Sequence, residues 1–166
     1  MNYKKIFITL IAIICFYLLA LLLMTTIFGL KKINGESMQP TFKGDGKEYF
    51  FSSKKKVPTY GDIVAINNGL LDHYVKRVIA CPGDSVEINN GIVLVNGKAT
   101  EYQKEVITSL KYYKVNKITL NNDEYYCLGD NINNSSDSRE YGPFKKKQIR
   151  TATKIFKLPF KLPFTM

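Results

Sequence analysis

The sequence predicts a mainly β protein, in which one N-terminal transmembrane helix is followed by an all-β domain of antiparallel strands. Two observations support this fold class. A long apolar segment without charges lies near the N-terminus, and after it short β-forming runs alternate with turn residues. The chain has 166 residues, of which 45% are hydrophobic and 23% charged, so its composition is globular and excludes a disordered or low-complexity protein.

The apolar segment, residues 6–30, is rich in Ile, Leu and Phe and contains no charged residue. As a helix at about 1.5 Å per residue it is roughly 37 Å long, which is enough to cross a hydrocarbon core of about 30 Å with some tilt. A cleaved secretory signal has a shorter apolar region, of about 7 to 15 residues, that ends in small residues. The sequence therefore favours an uncleaved membrane anchor, whose orientation stays open because lysines flank it on both sides.

Short runs of β-forming residues follow the anchor, each bounded by turn residues. They are residues 49–51, 63–66, 74–80, 85–88, 92–95, 117–120 and 125–128. Asn-Gly steps at Gly91 and Gly97 supply the positive φ angles of tight hairpins, which predicts consecutive antiparallel strands over residues 85–101. Residues 101–116 show no clear period and are predicted to form an irregular or edge excursion.

The chain is basic, with 24 Lys and Arg against 14 Asp and Glu, which favours anionic partners such as phospholipid headgroups or nucleic acid. Its basic residues lie mostly in the C-terminal part and around 54–56, without the interleaved aromatic residues that stack on bases. The sequence therefore predicts a lipid bilayer and no nucleic acid as partner. The tail 157–166 repeats Lys-Leu-Pro-Phe, and it is predicted either to contact headgroups or to form a disordered end.

The three cysteines, Cys15, Cys81 and Cys127, have no CxxC spacing, and the chain has a single histidine. This excludes the common zinc and haem sites, so no metal and no cofactor are predicted. A pairing of Cys81 with Cys127 stays open, and unpaired thiols are favoured because both cysteines lie in strand-like runs where a small apolar residue fits.

Ser37 and Lys76 are the residues best suited to nucleophilic chemistry. Ser37 follows the anchor closely, in a loop that Pro40 stiffens and in which Gly35 permits close backbone approach. Lys76 lies in a predicted strand with Tyr74 on the same face, and burial of that face would lower the pKa of the amine from about 10.4. A neutral amine is a competent general base for a serine hydroxyl. The alternative is a Lys76 that points to water, as most lysines do.

Four strings occur in a fixed order along the chain. They are Gly-Glu-Ser-Met-Gln-Pro-Thr at 35–41, Tyr-Gly-Asp-Ile-Val at 60–64, the run from Tyr74 to Asp84, and Leu-Gly-Asp-Asn at 128–131 followed by Ser-Ser-Asp-Ser-Arg at 135–139. Together they resemble the sequence boxes of bacterial type I signal peptidases, a family of membrane-anchored Ser/Lys peptidases. The resemblance covers the anchor and the following chain to about Gly142.

The resemblance implies a role for each residue of the boxes. Ser37 corresponds to the nucleophile, and Lys76 to the base that takes its proton and later activates the deacylating water. Ser135 would hold the Lys76 amine in place, and Asp137 and Arg139 would form a supporting ion pair.

The family removes signal peptides from exported preproteins and recognises small residues before the scissile bond, so the resemblance implies these substrates. Met38, Tyr74 and Val75 are the residues it suggests for lining the shallow pockets, although all three also fit the core. A monomer is expected.

In the family the amino terminus is cytoplasmic and the catalytic domain faces outward, which implies a single-pass protein of the cell membrane. The predicted segments are a short cytoplasmic end (1–5), a transmembrane anchor (6–30), an extracytoplasmic β peptidase domain (31–156) and a basic aromatic tail (157–166).

Two residues depart from the family pattern. Gly35 occupies a position where some members have a serine hydroxyl, so a side-chain donor to the oxyanion is not expected. Ile132 occupies a position where an arginine often follows Gly-Asp-Asn. Two other interpretations stay open: a single-pass membrane β-domain that binds anionic lipid or a partner protein without catalysis, and a Ser-His enzyme that uses His73.

Overall fold

The computed structural model describes residues 3–54, 56–67, 73–89, 91–100 and 114–154. The chain begins with helix α1 (Tyr3–Ile27), and its stretch Tyr3–Leu23 has a mean hydropathy of 3.1 and is not buried against the rest of the protein. An exposed helix that is apolar on every side has the length and composition to cross a membrane.

The predicted anchor 6–30 extends beyond the end of this helix. Residues 28–30 belong to strand β1 (Phe28–Asn34), which pairs antiparallel with β2 (Asp45–Ser53). Phe28 lies opposite Ser53 in this pair, so the hydrogen bonds of a distant strand replace a further helical turn. An apolar run that continues a helix looks the same in sequence, and only the partner strand separates the two cases.

The described residues form two antiparallel sheets and a short helix, which confirms the predicted mainly β fold. The remaining elements are β3 (Ile63–Asn67), β4 (His73–Ala80), β5 (Ser85–Asn89), β6 (Ile92–Val95), β7 (Lys98–Ala99), β8 (Val115–Thr119), β9 (Glu124–Leu128), α2 (Ser138–Tyr141), β10 (Phe144–Lys145) and β11 (Ile149–Thr153). Within these residues, one sheet has the order β1-β2-β11-β3-β4-β9-β10 and the other β7-β6-β5-β8.

Each predicted β run contains or overlaps a strand, and the hairpins over 85–101 are confirmed. Strand β5 pairs with β6, β6 pairs with β7, and Asn96 and Gly97 between the latter two have φ angles of 52° and 77°. In the predicted excursion 101–116, residues 115 and 116 lie in β8, and residues 101–113 are outside the described part. The tail 157–166 is also outside it.

Three buried clusters hold the sheets together. One consists of Ile79, Ala80, Val86, Ile88, Val93, Leu120, Tyr126 and Leu128. A second consists of Val64, Ile66, Val78, Tyr125, Cys127, Phe144, Ile149 and Ala152, and a third of Ile33, Met38, Phe42, Ile63 and Ala65. Strand β4 contributes to the clusters in alternation, because Tyr74 packs against the second cluster and Val75 against the third.

Candidate active site

Ser37 lies in the loop 35–44, which connects β1 to β2. The Gly35 N–H donates a hydrogen bond of 3.0 Å to the Gly44 carbonyl oxygen and closes the loop at its base. Both glycines have positive φ angles, 87° and 73°. A Cβ atom on Gly44 would lie 2.0 Å from the Gly35 oxygen, so only glycine permits this closure.

The same loop is fixed to the rest of the domain by two buried side chains. Met38 is 1% exposed and Phe42 is 2% exposed, and both pack in the third cluster against β3. The Phe42 N–H donates to the Met38 carbonyl oxygen over 2.9 Å, and the Gln39–Pro40 peptide bond is cis. Burial of the residue next to Ser37 therefore fixes the backbone from which its hydroxyl projects.

Lys76 reaches Ser37 from strand β4. Its Nζ donates a hydrogen bond of 2.8 Å to Ser37 Oγ, and the residue is only 2% exposed. Burial lowers the pKa of this amine below its ordinary value of 10.5, the nearby Asp137 carboxylate opposes the change, and Arg139 adds to it. The structure therefore brings together the predicted nucleophile and base, and it places the amine away from solvent.

Gly129, directly after β9, lies where the Ser37 loop meets the segment of Ser135. A Cβ atom on Gly129 would be 2.5 Å from the Ser37 carbonyl oxygen and 2.2 Å from Ser135 Oγ. The Ser135 hydroxyl donates to Asp137 Oδ2 over 2.7 Å, and among the described residues it makes no hydrogen bond with Lys76. Its proposed hold on the amine stays a prediction.

Asp137 and Arg139 form a buried, two-pronged ion pair. The Arg139 Nε donates to Asp137 Oδ1 over 2.8 Å and its terminal nitrogen donates to Oδ2 over 2.9 Å. The carboxylate of Asp137 also accepts the N–H of Gly129 over 3.0 Å and caps the N-terminus of α2. The pair thus connects the end of β9, the Ser135 segment and α2.

A second ion pair, between the buried Arg77 and the half-buried Asp130, was not predicted from the sequence. The Arg77 guanidinium donates to both carboxylate oxygens over 2.7 and 2.6 Å, and the Thr41 hydroxyl donates to the same carboxylate over 2.5 Å. Thr41 belongs to the Ser37 loop, so this pair ties the loop to β4 and to the residue after Gly129. Strand alternation offered a signal, because Arg77 in a buried strand requires an acidic partner on the face opposite Lys76.

The residues predicted to line substrate pockets differ in their surroundings. Met38 is a core residue of the loop, Val75 is half-buried, and the half-buried Tyr74 ring has its centroid 5.6 Å from Lys76 Nζ. Their contact with substrate stays a prediction. An open cleft of about 370 Å³ adjoins the loop and is lined by Gln39, Pro40, Asp130, Asn131, Ile132 and Asn133.

All three cysteines are free thiols. Within the described part of the chain, no group of three or more His, Cys, Asp or Glu side chains is arranged to hold a metal ion.

The sequence profile described as "Signal peptidase, peptidase S26" matches residues 6–157. The chain belongs to this signal peptidase family. A signal peptidase I of Bacillus amyloliquefaciens is 35% identical over 161 residues, which are 90% of this chain and 86% of that protein. Signal peptidase I S of Bacillus subtilis (strain 168) is 33% identical, over 90% of this chain and 87% of its own. A signal peptidase I from Enterococcus faecalis V583, solved by crystallography, has a TM-score of 0.46 and 23% identity, over 59% of this chain and 97% of that one.

This S26 peptidase is thus a serine endopeptidase of the signal peptidase I type. Its apolar helix α1 and its relatives fit a membrane-anchored protein.

Proposed function

We propose that the chain uses a Ser/Lys dyad to remove signal peptides from exported preproteins at the outer surface of the cell membrane, cleaving after small residues. One observation carries the proposal: the buried Lys76 amine lies 2.8 Å from the Ser37 hydroxyl. A lysine is rarely buried without a use, because burial disfavours its charged form.

The proposed chemistry uses the amine as a proton shuttle. Neutral Lys76 takes the proton of the Ser37 hydroxyl as the oxygen attacks the scissile carbonyl, and the ammonium then gives that proton to the leaving amine. The neutral amine next activates a water that hydrolyses the acyl-enzyme. The Ser37 backbone N–H is the proposed donor to the oxyanion, since Gly35 has no side chain to offer.

The two ion pairs are proposed to position the dyad residues without taking part in the reaction. The pair of Asp137 and Arg139 fixes Gly129 and Ser135 beside the dyad, and the pair of Arg77 and Asp130 fixes the Ser37 loop through Thr41. Displacement of a reacting group by about 1 Å costs about 100-fold in rate, so rigid support of both dyad residues matters.

The position of the loop suits a substrate that is itself held in the bilayer. Helix α1 ends at Ile27, and β1 leads directly from it to the Ser37 loop. A preprotein whose apolar segment lies in the membrane would present its cleavage site at this level, with small residues in pockets near Met38, Tyr74 and Val75. In the proposed topology residues 1–5 are cytoplasmic, residues 31–156 form the outer domain, and the tail 157–166 meets anionic lipid.

The test is cleavage of a preprotein with an Ala-x-Ala sequence before its cleavage site by the full-length protein in detergent micelles. We expect the parent to cleave at that site, Ser37→Ala to show no turnover, and His73→Ala to retain most of it. Absence of cleavage by the parent would instead support a membrane β-domain that binds lipid or a partner protein. Loss of activity in both His73→Ala and Ser37→Ala, with activity kept in Lys76→Ala, would support the Ser-His mechanism.

The rate of cleavage should depend on pH through Lys76. Only the neutral amine accepts the serine proton, so the rate constant of acylation rises with pH and levels off above the lowered pKa of Lys76. The measurement is kcat/KM for a signal-sequence peptide across the neutral and alkaline range. A rate that continues to rise with pH up to the ordinary lysine pKa of 10.5 would show that burial does not lower the pKa of this amine.

A further inference from the structure

Tyr141, the last residue of α2, is a large aromatic side chain beside the dyad to which the proposed mechanism assigns no part. It is 51% exposed, yet its ring is held on two sides. It stacks on the Tyr74 ring, with 5.9 Å between centroids and 13° between planes, and lies 6.5 Å from the ring of Phe144. Because Phe144 is 5% exposed in the second cluster, this group of rings is anchored in the core.

The same rings lead inward to the amine. The Tyr74 ring lies over Lys76 Nζ at 5.6 Å, and Tyr74 stacks on Tyr141. Exposure increases along this series, from Lys76 to the half-buried Tyr74 to the exposed Tyr141. The rings thus form a series of contacts that runs from the buried amine to the protein surface.

We infer that Tyr141 is a positioning residue for the Lys76 amine, because it holds the Tyr74 ring in place as a wall between that amine and water. The inference rests on the proposed function only in that Lys76 is the general base.

The short helix α2 explains why Tyr141 can hold this place. Asp137 caps its N-terminus, and the Gly142 N–H donates to the Ser138 carbonyl oxygen over 3.1 Å at its C-terminal end. A helix of one turn has little stability of its own, so these caps and the buried Arg139 set the position of the tyrosine ring.

Two effects of the aromatic wall on the amine oppose each other. The face of the Tyr74 ring attracts the ammonium form, whereas exclusion of water disfavours it. Burial is the largest influence on the amine and lowers its pKa. The charged and titratable groups that also act on it are Asp137, Arg139, Cys127 and Asp130, and these are unchanged if Tyr141 is removed. Loss of the wall therefore admits water and favours the protonated amine.

The experiment follows the titration of Lys76 directly and through catalysis. Full-length protein with ¹³Cε-labelled lysine in detergent micelles is titrated by NMR, with the Lys76 signal assigned by its loss in Lys76→Arg, and kcat/KM for a signal-sequence peptide is measured over the same pH range. In Tyr141→Ala we expect both midpoints to move to higher pH by about one pH unit, with activity recovered at alkaline pH. Tyr141→Phe keeps the ring, and Glu140→Ala changes an exposed neighbour on the same helix, so both should keep the parent midpoints.

The outcomes are distinct. Unchanged NMR midpoints in Tyr141→Ala would overturn the inference. An equal loss of kcat at every pH, without movement of the midpoint, would also overturn it, because that is the signature of a merely structural residue. A shifted NMR midpoint together with full cleavage by Lys76→Ala would uphold the wall and reject Lys76 as the catalytic base, so failure of the proposed function is recognisable separately.

Discussion

Replacing Lys76 by methionine is expected to reduce cleavage by about 1000-fold or more, because the serine then has no base to take its proton. Methionine has a similar length and no charge, so it fills the buried site beside Ser37 without placing an unpaired polar group there. Initial rates on a preprotein substrate measure the effect, and turnover close to that of the parent would exclude the dyad.

The same variant is expected to be more stable than the parent at neutral pH. The unfolded chain binds the lysine proton below the ordinary pKa of 10.5, whereas the folded protein binds it only below the lowered value. Between the two values the unfolded state holds more protons, so the contribution of Lys76 to stability rises with pH through that window and is unfavourable below it. Urea unfolding of parent and Lys76→Met at two pH values tests this, with the advantage of the variant largest at the lower pH.

Gly44→Ala should damage both stability and activity through the closure of the Ser37 loop. The new Cβ would lie 2.0 Å from the backbone oxygen of Gly35, and the residue has a φ of 73°, so the base of the loop must open. We expect the free energy of unfolding to fall by about 3 kcal/mol. Cleavage should fall by about 100-fold, because Ser37 moves relative to Lys76.

Gly97→Ala is the matched control for this prediction. Gly97 has a φ of 77°, and a Cβ atom there would meet nothing within 4 Å. The control therefore carries the backbone strain alone, which costs about 1 kcal/mol, and should cleave like the parent. Equal losses of activity in the two variants would show that strain, and not the contact with Gly35, explains the effect of Gly44→Ala.

Local pattern explains what the sequence could predict. The β runs and the Asn-Gly hairpin at Gly97 depend on neighbours within a few residues, and the structure has the hairpin as predicted. The same alternation placed Lys76 on one face with Tyr74, which left burial or exposure open until packing decided it.

Contacts between residues far apart in the chain explain the features that the sequence could not predict. Arg77 and Asp130 are 53 positions apart, so strand alternation indicates that Arg77 needs an acidic partner but does not identify Asp130 as that partner. Strand β11 lies within a basic C-terminal segment, and its place depends on β3, to which it pairs. Tyr141 likewise gains its position only because its ring stacks on Tyr74 of β4, 67 residues earlier in the chain.

Strand β11 lies between β2 and β3, although it is the last strand of the described chain. The hairpin that carries Ser37 and the strand that carries Lys76 are thus joined across the sheet by a segment that the ribosome makes after both of them. As synthesis proceeds from the N-terminus, the sheet cannot close between β2 and β3 until residues 149–153 have been made and inserted. The support that this strand gives to the proposed dyad is therefore available only late in the folding of the domain.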